Sequence, residues 1–176
     1  MPYVWIKKHG LAALVIAGLG LSGCGQAKDQ SVMADYQASI DALAAQNLKT
    51  GQDFLAATSK EAGVVTLPSG LMYKVVADPD PRAPQPAVSD SVTVHYEGRL
   101  VDGTVFDSSY ARNQPATFPL SRVVEAWQIG IPLMHKGDTY MLYVPASLGY
   151  GERDMGDIPP NSTLIFKVQL IGIDGK

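Results

Sequence analysis

The sequence predicts an α+β fold in which an antiparallel β-sheet wraps around one short α-helix and is preceded by an N-terminal helix. Three observations lead there. Several segments after residue 64 alternate apolar and polar residues, so each has one apolar face. One short stretch, around Val123, Val124 and Trp127, has helical spacing instead. Before residue 64, Tyr36, Ile40, Leu43, Leu48, Phe54 and Leu55 recur at roughly i, i+4, i+7, the stripe of an amphipathic helix. Strands with one apolar face each imply an antiparallel sheet with one buried side, and a single helix laid across that side completes the domain.

The N-terminus is an address label. Lys7 and Lys8 precede an apolar run, 11–20, that is too short to span a bilayer comfortably and fits the core of a signal peptide. Leu21-Ser22-Gly23-Cys24 then resembles the lipobox of bacterial lipoproteins. That resemblance implies removal of residues 1–23 and lipidation of Cys24, which anchors the chain in the bacterial cell envelope. Gly25 stands where an aspartate commonly retains lipoproteins in the inner membrane of enteric bacteria, which favours the outer membrane. The alternative is an ordinary secretory signal with an incidental cysteine.

Between residues 26 and 63 the helical stripe is supported by Ala42, Ala44 and Ala45, which are strong helix formers. Gly51 is expected to weaken its middle, and Gly63, with Lys60 in the last turn, is its expected stop. A stripe of this length needs a surface to cover it. Packing against the following domain and pairing with a second subunit through residues 32–55, as a homodimer, are both open.

Strands are expected at 64–67 and 71–77. Pro79, Pro81, Pro84 and Pro86 then make a loop. Along 91–100, Val92, Val94 and Tyr96 share one face, and Thr93, His95 and Glu97 the other. Asp102-Gly103 signals a hairpin, with 105–107 returning as the partner strand. A short strand at 117–120 leads to Ser121, a suitable N-cap for the helix carrying Val123, Val124 and Trp127. Strands at 138–145 and 163–173 close the chain. The predicted division is a signal peptide over 1–23, a lipidated tether and short helix over 24–63, and the folded domain over 64–176.

Composition narrows the function. The net charge is −3 and the charges are interspersed, which argues against a nucleic-acid partner. A single cysteine excludes an intrachain disulfide and a cysteine-based zinc cluster. The three histidines are widely spaced, so no metal site or cofactor is expected, and His95 and His135 read as structural or surface residues. No Ser/His/Asp set has the sequence context for acyl transfer.

Five phrases in order resemble the FKBP family of prolyl isomerases. They are Val94-His95-Tyr96-Glu97-Gly98; Gly103-Thr104-Val105-Phe106-Asp107-Ser108-Ser109; Phe118-Pro119-Leu120 followed by Val123-Val124-Glu125-Ala126-Trp127; Pro145-Ala146-Ser147-Leu148-Gly149-Tyr150-Gly151; and the run 158–166 from Ile158-Pro159-Pro160 to Phe166. The resemblance covers roughly residues 47–173, and 47–74 is similar to the macrophage infectivity potentiator branch. It implies a peptidyl-prolyl cis/trans isomerase acting on proline-containing polypeptides, able to take rapamycin-like macrolides. It also implies a pocket lined by Tyr96, Phe106, Asp107, Phe118, Val123, Val124, Trp127, Tyr150, Ile158 and Phe166. In that pocket Trp127 is the floor beneath the prolyl ring, the Tyr150 hydroxyl and Ile158 N–H bind substrate carbonyls, and Asp107 accepts a hydrogen bond near the rim. Three positions depart from the pattern: Ala116 where some members carry a large aromatic, Ala126 in place of the usual glycine, and a short charged loop at 152–157. A binding module or holdase without useful turnover would use the same pocket, and a structural tether would use the 36–55 stripe.

Overall fold

The computed structural model describes residues 26–175. The expected signal peptide over 1–23 and Cys24 lie outside the described residues. Gln26–Thr58 form one continuous 33-residue helix, α1, about 50 Å long at 1.5 Å per residue. It starts earlier than the apolar stripe and ends before the predicted stop. Backbone bonds from Lys60 N–H to Ala57 O (3.1 Å) and from Glu61 N–H to Thr58 O (3.0 Å) turn the chain out of the helix. Lys60 therefore lies beyond the last turn.

Seven strands follow: β1 (Val64–Thr66), β2 (Met72–Ala77), β3 (Ser91–Leu100), β4 (Val105–Ser108), β5 (Ala116–Pro119), β6 (Thr139–Val144) and β7 (Leu164–Ile173). All pairings are antiparallel, in the order β1-β2-β6-β7-β3-β4, and β5 pairs with the first half of β3. Chain order and sheet order differ because β6 and β7, last in sequence, fill the centre. Alternation in β3 buries Val92, Val94, Tyr96 and Gly98 on one face, as the sequence predicts.

The short helix α2 (Glu125–Gly130) lies against this face. Ala126, Trp127 and Gly130 are buried, and the core beneath them includes Leu71, Val92, Val94, Leu142, Leu164 and Val168. Ser121 does not cap α2. It sits in a 3-10 turn over Leu120–Arg122, and Val123 is extended (φ −95°, ψ 175°), so the helix starts two residues later with Val124 as its N-cap.

The sheet is not one-sided. β6 is buried on both faces, because the C-terminal half of α1 covers the side opposite α2. Leu55 packs with Met72, Tyr143 and Ile165, and Phe54 meets the Tyr143 ring at 6.1 Å. Asn47 Nδ2 donates to Pro160 O at 2.9 Å. Gly51 does not weaken α1 but lets it approach the sheet: a Cβ there would overlap Thr163 Oγ1 and come within 2.9 Å of Thr163 Cβ.

Candidate active site

The site grows from the hydrogen-bonded strands β3 and β4. After the Asp102-Gly103 hairpin, Gly98 stands opposite Asp107 and Arg99 opposite Val105, so Phe106 is one extra residue on β4. Such a bulge re-aims side chains that regular alternation would send to opposite faces. Here Phe106 packs edge-on against Phe166 (5.7 Å, 86°), while Asp107 turns to Tyr96. Gly98 makes room for this: a Cβ would lie 2.5 Å from the Phe106 ring and 2.8 Å from Phe166.

Trp127 is the centre of an aromatic enclosure. It lies 5.3 Å from Tyr96, 5.9 Å from Phe118 and 5.4 Å from Phe166, in edge-to-face contacts with interplanar angles of 78–82°. This geometry sets positive ring edges against negative ring faces. The indole is 4% exposed, and its Nε1–H has no hydrogen-bond partner. Tyr150, Ile158 and Phe166 are also buried, and Phe106, Phe118, Val123 and Val124 are half-buried against the same cluster. A small solvent-open pocket is lined by Phe106, Tyr150, Met155, Asp157 and Ile158.

A polar network closes one side. Asp107 accepts from the Tyr96 hydroxyl and, through its other oxygen, from Arg112 Nη1. Arg112 Nη2 donates to the Tyr96 oxygen at 3.2 Å, and the guanidinium carbon sits 6.0 Å from the Tyr96 ring centre. Burial pushes the Tyr96 phenol up to about 12, helped by the Asp107 hydrogen bond and charge and opposed by Arg112. Tyr96 is therefore a neutral donor throughout the physiological range. Its backbone is held by Ser109: Tyr96 N–H donates to Ser109 Oγ at 2.7 Å and Ser109 N–H to Tyr96 O at 2.9 Å. His95 Nδ1 lies 2.9 Å from Ser109 Oγ on the far side of β3.

The structure thus brings all ten sequence-predicted pocket residues into one neighbourhood. Sequence reasoning missed Arg112, Met155 and Asp157. Arg112 follows the 103–109 phrase closely but belongs to no periodic element, and Met155 and Asp157 lie in the 152–157 loop, noted only for its length. Among the described residues, no helix is long and apolar enough to cross a membrane.

Comparison with known proteins bears on this pocket. A family profile described as FKBP-type peptidyl-prolyl cis-trans isomerase matches residues 83–171. A second, described as a domain amino-terminal to FKBP-type peptidyl-prolyl isomerase, matches residues 20–75. The outer membrane protein MIP of Legionella longbeachae is 45% identical over 145 residues, covering 82% of this chain and 61% of the relative. The peptidyl-prolyl cis-trans isomerase Mip of Coxiella burnetii is 48% identical over 131 residues, covering 74% of this chain and 56% of the relative. The chain therefore spans little more than half the length of these curated relatives. The crystal structure of FkpA from Escherichia coli superposes with a TM-score of 0.80 at 38% identity, covering 84% of this chain and 68% of that one.

Proposed function

The chain belongs to the FKBP-type peptidyl-prolyl cis-trans isomerase family, and from this we propose that it accelerates X–Pro rotation in extracytoplasmic polypeptides, assisting their folding. The observation that carries the proposal is the Trp127-centred aromatic enclosure beside the Tyr96–Asp107–Arg112 network. Peptide C–N rotation is opposed by resonance, with a barrier of about 18–20 kcal/mol. X–Pro bonds populate both isomers but exchange over tens to hundreds of seconds. No bond breaks, so neither a nucleophile nor a metal is needed. The twisted amide is less charge-separated than the planar one, so an apolar, water-poor pocket favours it relatively. Trp127 supplies the floor for the prolyl ring, and Phe106, Phe118, Val123, Val124 and Phe166 form the walls. The Tyr150 hydroxyl and Ile158 N–H hold substrate carbonyls, while Asp107 fixes Tyr96 and Arg112 at the rim. Catalysis is differential binding of the twisted form, and lowering the barrier by about 4 kcal/mol yields roughly a thousandfold.

The test is turnover of a proline tetrapeptide series, with and without rapamycin. Fast isomerisation blocked by stoichiometric drug is expected, with kcat/KM lowered about tenfold in Asp107→Ala, a loss of about 1.4 kcal/mol of transition-state stabilisation. A well-folded protein without turnover that still captures proline peptides would instead make the pocket a binding module or holdase.

Two further features extend the proposal. Lipidation of Cys24 would hold the isomerase at the outer membrane, the location in the name of the Legionella relative. Val32, Met33, Tyr36 and Leu43 are exposed, and they continue along α1 the helix face that docks on the sheet through Asn47, Gly51, Phe54 and Thr58. A second copy of α1 is the proposed cover for that exposed stripe, giving a homodimer. Intact mass and sedimentation of the purified full chain should show acyl mass on Cys24 and a dimer. An unmodified thiol refutes the anchor, and a monomer at high concentration refutes the pairing.

A further inference from the structure

Away from the pocket, sheet topology gathers a second polar group that the sequence separates widely. Asp78 follows the last residue of β2, and His135 to Asp138 form the turn entering β6. Strands β2 and β6 are hydrogen-bonded neighbours, with Ala77 opposite Thr139, so Asp78 is carried to that turn. One potential ligand atom each from Asp78, His135 and Asp138 lies within 4.8 Å of the others.

The group is built rather than incidental. Asp138 is fully buried. Its Oδ2 accepts from His135 N–H at 2.8 Å and lies 3.5 Å from His135 Nδ1. Its Oδ1 and the His135 Nδ1 are both sealed from solvent without a hydrogen-bond partner. Buried polar atoms in native proteins are normally satisfied, and a buried carboxylate oxygen most of all. The ion pairs of Lys49, Arg82 and Arg112 go to Asp53, Asp80 and Asp107, not to Asp78 or Asp138. The backbone around the group is fixed. Gly137 N–H donates to Leu170 O at 2.8 Å, Leu170 N–H to Asp138 O at 2.9 Å, and Lys136 N–H to Pro84 O at 3.0 Å. Asp78 is the exposed member and leaves an entry path.

We propose that Asp78, His135 and Asp138 form a binding site for a divalent transition-metal ion of the zinc type, with water completing the coordination. One imidazole nitrogen and two carboxylate oxygens are the donors such an ion accepts, whereas calcium takes six to eight oxygens. With bonds of about 2.0–2.2 Å, ligand atoms of a tetrahedral zinc stand roughly 3.5 Å apart. The three ligand atoms, within 4.8 Å of one another, need only a small inward movement to reach that spacing. The ion would tie the end of β2 to the turn that follows α2. None of the three residues belongs to the prolyl pocket, so isomerase turnover without metal is expected to be the same in variants of this site.

The experiment is calorimetric titration of the full chain with zinc chloride, with calcium chloride as comparator and Asp78→Asn and His135→Ala as variants. Asp138 is left intact because its replacement is the one prone to misfolding. The wild type should take up one zinc equivalent that raises its thermal midpoint, and each variant should bind that equivalent at least about tenfold more weakly, with little response to calcium. Cys24, His9 and His95 also offer zinc donors, but zinc bound there is indifferent to both substitutions. Undiminished zinc binding in both variants, or no saturable zinc binding by the wild type, overturns the proposal. Stabilisation by mild acid with no effect of zinc overturns it too, in favour of a proton shared between the carboxylates.

Discussion

Replacing Trp127 with alanine is expected to lower kcat/KM for a proline tetrapeptide by about a hundredfold or more and to destabilise the domain by about 3–5 kcal/mol. Both effects come from one side chain. Trp127 is 4% exposed and touches Tyr96, Phe118 and Phe166 edge-on, so truncation leaves a cavity ringed by aromatic groups, two of which, Tyr96 and Phe118, keep only each other across it. In the proposed mechanism the same rings wall the prolyl pocket, and without its floor the enclosure would no longer exclude water from the turning amide. Denaturant unfolding measures the first effect and single-turnover peptide kinetics the second. Trp127→Phe separates them: it keeps most of the apolar area and removes the unpartnered indole N–H. If catalysis rests on shape and dryness, Trp127→Phe retains most of the turnover. A variant as inactive as alanine but nearly as stable as wild type would show that the N–H itself is required.

Gly51→Ala is expected to reverse the usual sign of a glycine-to-alanine change inside a helix. In an isolated helix alanine is favoured by roughly 0.5–1 kcal/mol. Here the new methyl overlaps Thr163 Oγ1 and approaches Thr163 Cβ to 2.9 Å. Overpacking of this kind typically costs about 1–3 kcal/mol, so a net loss of roughly 1–2 kcal/mol is expected. The loss should appear first as detachment of α1, seen as faster amide exchange across Asn47–Thr58. Turnover of small peptides should persist, because the helix covers the sheet face opposite α2 and Trp127. Thr163→Ala in the same chain should recover part of the loss, since it removes the overlapping oxygen. Stabilisation by Gly51→Ala alone would refute the close approach of helix and sheet.

The alternation of β3 was legible in the sequence because strand geometry is local: a period of two sends Val92, Val94 and Tyr96 inward whatever the partner strands. A short helix at Trp127 and the turn chemistry of Asp102-Gly103 were legible for the same reason, although Val123 and Val124, read as helical with Trp127, precede α2. The ordered phrases from Val94 to Phe166 named ten candidate pocket residues, and the structure places these side by side. Where sequence reading failed, the decision belonged to contacts between distant segments. Ser121 looks like a cap, but extended Val123 separates it from α2. Gly51 looks like a flaw in α1, yet Thr163 makes it the point of docking. The alternating segments suggested a sheet with one buried face, yet α1 covers the second.

The sequence by itself determined the element types, the inward face of β3 and the aromatic make-up of the pocket. Each follows from local periodicity or from a run of adjacent residues. Tertiary structure alone decided that Phe106 and Asp107, consecutive on one strand, both join the cluster around Trp127, through Phe166 and Tyr96, because the bulge exists only against the register of β3. It alone joined Arg112 to Tyr96 and Asp107, and Asp78 to His135 and Asp138. Those groupings depend on which strands lie side by side and in what register. That is fixed by the packing of the whole sheet and leaves no period in the chain.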